Sequence, residues 1–288
     1  MAAIPLGATE GLRLISLGSM TTNKTLSNLR LDGKWALVCG ASKGIGAAAA
    51  YALADMGADV TLVARTEEGL KETFQRLPAT GTQRHGYFAA DFDDPAGLKA
   101  ALEAWLKRSP KLHILVNNTG GPPGGPASTA KPEEFLAAFN RHLIGGQILV
   151  QTLLPALRST GYGRIINVIS TSVKEPIKGL GVSNTVRGAV ASWAKTLAGE
   201  LGKDGITVNN VLPGFTRTGR MQSLFEARAE KEQRSVTEVE AEARSLIPLG
   251  RIAEPEEIAA AIAFLASPAA SYITGVSLPV DGGRIQSL

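Results

Sequence analysis

Seven short apolar runs, at residues 35–38, 60–64, 87–90, 114–116, 165–169, 206–211 and 276–280, alternate along the chain with stretches of helical spacing. The runs are rich in Val and Ile and lack polar alternation, as strands covered on both faces require. Helical patterns occupy 45–56, 67–77, 95–107, 135–157, 186–201 and 255–266. Pro95 and Pro255 each follow an acidic residue, in the position of a first-turn proline. Strand–helix alternation of this kind leaves few topologies open. Short right-handed crossovers force a parallel sheet with helices on both faces.

The expected fold is therefore α/β, a Rossmann-like doubly wound parallel sheet of about seven strands, in a single domain over residues 29–288. With 288 residues and 44% hydrophobic content, the chain can bury a large core. Its formal charge is only +4 and no basic run stands out, so nucleic acid is not an expected partner. Cys39 is the single cysteine, which leaves no disulfide framework and no metal-ligand spacing. No apolar run approaches the roughly 20 residues that span a bilayer, so the expected setting is cytoplasmic, without a membrane partner. Residues 1–28 read as an N-terminal extension outside the domain, without the pattern of a secretory signal. Residues 219–246 form a charged insertion of one or two exposed helices, either a solvated face or a flap over a substrate.

The first strand runs into a glycine-rich turn. Gly40, Gly44 and Gly46, with Ser42, Lys43 and Ile45 between them, lead into an Ala-rich helix. Glycines there let backbone N–H groups approach a pyrophosphate at the helix N-terminus. The second strand ends on Ala64 and Arg65 rather than on the carboxylate that holds an unphosphorylated ribose. Arg65 and Lys43 are two cations suited to a 2′-phosphate, so the expected cofactor is NADP(H).

VCGASKGIG (38–46), NNTG (117–120), GRIINVIS (163–170) and PVDGG (279–283) occur in an order and spacing that resembles the short-chain dehydrogenase/reductase family. The likeness covers nearly the whole domain, and within the family it leans toward 3-oxoacyl carrier-protein reductases. It implies that Asp91 lies near the adenine and that Asn117 braces the cofactor and the central strand. It also implies that Pro213, Gly214 and Thr218 meet the nicotinamide amide, and that the chain forms a homo-oligomer, a tetramer or dimer. Cys39 stands where the family usually has Thr.

The resemblance breaks at the chemistry. The family uses a Ser to hold the substrate oxygen, a Tyr to move the proton, a Lys to hold the ribose and an Asn to position water. Ser170 matches the Ser, but Ser183, Arg187 and His142 fall where Tyr, Lys and Asn belong. A Ser hydroxyl is a weaker acid than a phenol and too short to replace it, and Arg cannot relay a proton as Lys can. His142, with an ordinary imidazole pKa near 6.5, is the compensating acid that the sequence offers. His85 and His113 border other strands and read as structural.

Two functions remain open. One is an NADP(H)-dependent oxidoreductase acting on a small carbonyl or secondary alcohol. The other is an NADP(H)-binding pseudoenzyme, serving as a sensor or oligomeric interaction module.

Overall fold

The structure is a computed structural model that describes residues 28–79 and 81–287. The extension expected over residues 1–28 lies, except for Asn28, outside the described residues. Seven parallel strands form one sheet: β1 (Trp35–Cys39), β2 (Asp59–Ala64), β3 (Gly86–Ala89), β4 (Ile114–Asn117), β5 (Gly163–Val168), β6 (Ile206–Pro213) and β7 (Ser277–Val280). Their order is β3-β2-β1-β4-β5-β6-β7. The chain thus winds outward from β1 to β3, then returns to start again at β4. That reversal opens a crevice at the carboxyl ends of β1 and β4, where a doubly wound fold binds its ligand.

Helices α1 (Gly44–Asp55), α2 (Glu67–Gln75) and α3 (Pro95–Arg108) serve the first half. The second half carries α4 (Pro132–Phe139), α5 (Gly145–Ser159), α6 (Gly181–Leu201), α7 (Gly219–Glu232), α8 (Val236–Ser245) and α9 (Pro255–Ala266). Successive strand residues feed opposite faces, so Val38, Val116 and Ile166 pack under α1 and α9. Leu37, Leu115 and Ile165 pack under α3, α5 and α6. Both faces are apolar because both are covered.

Four features differ from the sequence reading. Residues 135–157 were expected to be one helix, but α4 and α5 are separated by a π-helical turn at Asn140–Ile144. Close packing accompanies the break. A Cβ on Gly146 would lie 2.9 Å from the Asn117 amide nitrogen, and one on Gly145 2.9 Å from the Phe92 ring. α5 therefore sits hard against β4, and the extra residue of the π turn swings its start toward the crevice. Second, α6 begins at Gly181 rather than near 186, which puts Ser183 in its first turn.

Third, the charged 219–246 segment is not solvated all round. Met221, Phe225, Ala229, Val239 and Ala243 form a small buried core of their own with Ile252. Fourth, the sheet carries a polar ladder. Asn117 donates to Asn167 (3.2 Å), Asn167 to Asn210 (3.0 Å), and Asn210 to Ser277 (3.1 Å). These residues are register partners across β4–β7, so each buried amide finds its partner on the next strand.

Candidate active site

The glycine turn makes a tight cradle. Gly40 and Gly44 adopt φ of +61° and +58°, which side-chain-bearing residues rarely reach. A Cβ on Gly46 would lie 2.2 Å from the Gly40 carbonyl oxygen, so only glycine lets the turn close on itself. Lys43 caps α1 without a side-chain hydrogen bond, so the first-turn N–H groups have no side-chain partner. Unclaimed N–H groups at a helix N-terminus are what a pyrophosphate requires, and the residues present fit a dinucleotide.

The neighbouring strands lock this turn. Asn118 donates to the carbonyls of Cys39 (3.3 Å) and Gly40 (3.4 Å), tying the end of β4 to the turn. The Asn117 side chain instead enters the ladder toward Asn167. Sequence reasoning passed over Asn118; the doubled Asn of NNTG was the available signal, because one must face the sheet and the other the crevice. Thr218 caps α7, accepting the Met221 N–H at 3.2 Å. Its Cγ2 would lie 3.2 Å from a Cβ on Gly44, so the loop after β6 closes over the glycine turn. Pro213 ends β6, and Gly214 donates to the Val280 carbonyl at 3.0 Å.

Arg65 and Lys43 are exposed beside this cradle, with Ser42 and Ile45 half-buried in it. Asp91, after β3, is exposed and accepts the Asp93 N–H at 3.0 Å. Asp93 holds Arg141 through two bonds of 2.8 and 2.5 Å, which pins the π turn to the β3 loop. Cys39 is fully buried, and burial pushes its thiol up, out of reach of thiolate chemistry.

Ser170, Ser183, Arg187 and His142 lie on the segment after β5, on α6 and on the π turn. Ser170 follows β5, half-buried, and its Oγ accepts the Ser172 N–H at 3.1 Å. That leaves its O–H free to donate to a substrate oxygen. Arg187 is buried in α6, one turn beyond half-buried Ser183, and donates to the Val168 carbonyl at 3.1 Å. Its Nε has no partner. Burial and the nearby Arg220 charge push Arg187 down to about 10, so it remains cationic at neutral pH.

His142 is 2% exposed, at the centre of the π turn. Its Nδ1 lies 2.5 Å from the Thr119 Oγ1, and its Nε2 has no partner. The expectation of an ordinary imidazole here is corrected. Burial first, then the charges of Arg187 and Arg141, push it down to about 2, so His142 is neutral and cannot act as a charged acid. The other histidines support backbone elsewhere: His85 Nδ1 accepts from Val60 N–H at 3.1 Å, and His113 Nδ1 from Trp35 N–H at 3.0 Å.

A parallel seven-stranded sheet with a glycine cradle at its reversal point and a Ser beside it defines a nicotinamide-dependent reductase architecture. The family described as enoyl-(acyl carrier protein) reductase matches residues 40–284, and the chain belongs to this group of the short-chain dehydrogenase/reductase family. The 3-oxoacyl-[acyl-carrier-protein] reductase of Vibrio cholerae is 36% identical over 257 residues, covering 88% of this chain and 98% of that protein. L-sorbose reductase from Gluconobacter frateurii, solved with NADPH and L-sorbose, superposes with a TM-score of 0.84 at 30% identity. That match covers 91% of this chain and all of the other. An actinorhodin polyketide ketoreductase with NADPH gives a TM-score of 0.82 at 31% identity, covering 88% and 98%. No described helix is long and apolar enough to cross a membrane.

Proposed function

We propose that the protein is an NADP(H)-dependent oxidoreductase that interconverts a carbonyl and a secondary alcohol, in the manner of a 3-oxoacyl reductase, through a rebuilt proton path. The observation that carries this reading is the convergence of Ser170, Arg187 and an unpartnered His142 Nε2 on an intact cofactor cradle. Preference for the phosphorylated cofactor rests on Arg65 and Lys43, which would hold the 2′-phosphate where no carboxylate stands. The V. cholerae reductase and the NADPH-bound neighbours support the same direction.

Bound in the cradle, the nicotinamide supplies or accepts the hydride. Ser170 donates its O–H to the substrate oxygen and holds it as negative charge develops. Arg187 keeps a positive charge behind the site and takes the ribose. His142 acts as a neutral imidazole. With Thr119 O–H donating to Nδ1, the ring proton sits on Nε2, which is buried and has no partner among the described residues. In the reducing direction, Nε2–H passes to the forming alkoxide while the Thr119 proton passes to Nδ1. Water gives Thr119, half-buried beside exposed Gly120, its proton back and leaves hydroxide. After the alcohol departs, Nδ1–H returns its proton through Thr119 to that hydroxide. A water entering the vacated site reprotonates Nε2, so one solvent proton is consumed per turnover. No imidazolium is needed, so a folded pKa of about 2 is no obstacle.

The depressed His142 also favours a second reading, the NADP(H)-binding sensor or interaction module, because a charged acid is missing. Two measurements separate the readings: titration with NADPH and NADH, then oxidation of NADPH against a panel of ketones and aldehydes. Binding with turnover supports the enzyme. Binding without any turnover supports the module, and failure to bind either cofactor overturns both. The oligomer implied by the family resemblance belongs to either reading and is checked by sedimentation.

A further inference from the structure

Most arginines in this protein sit on carboxylates. Arg141 pairs with Asp93, Arg217 with Glu254 and Arg251 with Glu257. Three arginines at the crevice do not. Arg187 and Arg220 have no acidic partner among the described residues, and neither has Arg284. Arg187 is 7% exposed, with an unpartnered Nε. Arg220, in the first turn of α7, reaches across the crevice and donates to the Pro122 carbonyl of the loop after β4. It passes beside Gly121, where a Cβ would lie 3.5 Å from Arg220 Nε, an ordinary contact.

Arg284 comes in from the tail. Its Cζ lies 5.0 Å from the Phe215 ring centroid, and its Nη1 lies 3.5 Å from the hydroxyl of Thr171, the residue after Ser170. Its Nε is buried without a partner. Of the three, Arg187 is buried, Arg284 half-buried and Arg220 exposed at the rim. The unpaired Arg187 charge is costly to the empty cleft, since burying unpaired charge is unfavourable. An anion entering between them removes that cost. The cofactor phosphates already have the α1 N-terminus, Lys43 and Arg65. The planar fork of a guanidinium matches a carboxylate through two parallel hydrogen bonds.

We infer that the substrate carries a carboxylate held by Arg220, with Arg187 and Arg284 setting the surrounding positive field, so that the protein takes oxo acids or the matching hydroxy acids. This rests on the oxidoreductase reading for its chemistry, but the anion site itself does not require turnover. Arg220 is then a specificity-determining residue on α7, and the charged insertion brings substrate recognition to the crevice.

The test is calorimetric titration of protein saturated with NADP+, in which a ketone cannot be reduced. Pyruvate, acetoacetate and levulinate are compared with their methyl esters, for the wild type and for Arg220→Gln. At least one acid should bind about tenfold or more tighter than its ester in the wild type, and Arg220→Gln should bring that ratio to within about twofold. NADP+ affinity should stay within about twofold in the variant. Three results overturn the inference: no acid outdoes its ester, the preference survives Arg220→Gln, or NADP+ affinity falls with it, which would assign Arg220 to a cofactor phosphate. An acid that binds with this preference but is never reduced by NADPH overturns the oxidoreductase reading and leaves the anion site standing. Failure of NADP+ to bind overturns both.

Discussion

The cofactor half and the catalytic half of the crevice are built by different means. Around β1 and β4, binding rests on backbone: glycines at φ near +60°, unclaimed N–H groups at α1, and Asn118 bracing two carbonyls. Around β5 and α6, function would rest on what individual side chains carry, and there the chain places Ser170, Ser183, Arg187 and, on the π turn, His142. Backbone geometry tolerates little, because a single Cβ on Gly46 would collide with Gly40. A proton path tolerates more, because any chain of donors and acceptors that reaches solvent can serve. The difference teaches that a preserved cradle with changed side chains is compatible with rerouted chemistry.

The comparison is sharpened most by Ser170→Ala. Loss of the donor to the developing oxyanion should lower kcat/KM by about 10²–10³-fold while NADPH affinity is unchanged, as read from steady-state kinetics and a fluorescence titration. The mirror experiment is Gly46→Ala, which attacks the backbone half. The added methyl should weaken NADPH binding about a hundredfold, and the strain of overpacking should lower stability by about 1–3 kcal/mol in chemical denaturation.

Asn167→Ala cuts the ladder between the halves. It leaves the Asn117 and Asn210 amides short of a partner, so stability should fall by about 1–3 kcal/mol with little change in NADPH affinity. Arg65→Asp tests the phosphate preference, and should move the NADPH-to-NADH affinity ratio by about tenfold or more toward NADH.

The smallest effect concerns acid. His142 is held down to about 2 by burial and by Arg187 and Arg141, and His113 to about 4 by burial and by Lys34 and Lys111. The unfolded chain takes up these protons near pH 6.5, the native state only at the lower values. Stability is therefore fully present above about pH 6.5 and is lost as pH falls toward the folded values. For His142 the slope is about 1 kcal/mol per pH unit. Tm should drop between pH 7 and 5, and His142→Gln should flatten that drop in part, since His113 still contributes.

Much of this was legible in the sequence, for definable reasons. The strands announced themselves as continuous Val- and Ile-rich runs because both sheet faces are covered. The glycine turn was legible because glycine is the only residue that fits such backbone. Less was visible where tertiary contact decides. The π turn breaks a stretch whose apolar spacing reads as one helix, and it depends on how closely Gly145 and Gly146 approach Phe92 and Asn117. The Asn ladder needs register across four strands, which no single run encodes. His142 was singled out by position, but its neutrality comes from burial and from Arg187 and Arg141, which meet it only in the fold. Arg220, two residues past Thr218, carried no signal of its own until its reach to Pro122 was seen.

The claim that the catalytic half is rebuilt rather than dead is tested most directly by single-turnover oxidation of NADPH, with a reducible carbonyl, in wild type, Thr119→Val and His142→Gln. The proton path through Thr119 and His142 requires the wild type to oxidise NADPH. Both variants should slow that step by about a hundredfold at unchanged NADPH affinity. Equal rates in all three proteins, or no oxidation by the wild type across the carbonyl panel, would contradict it.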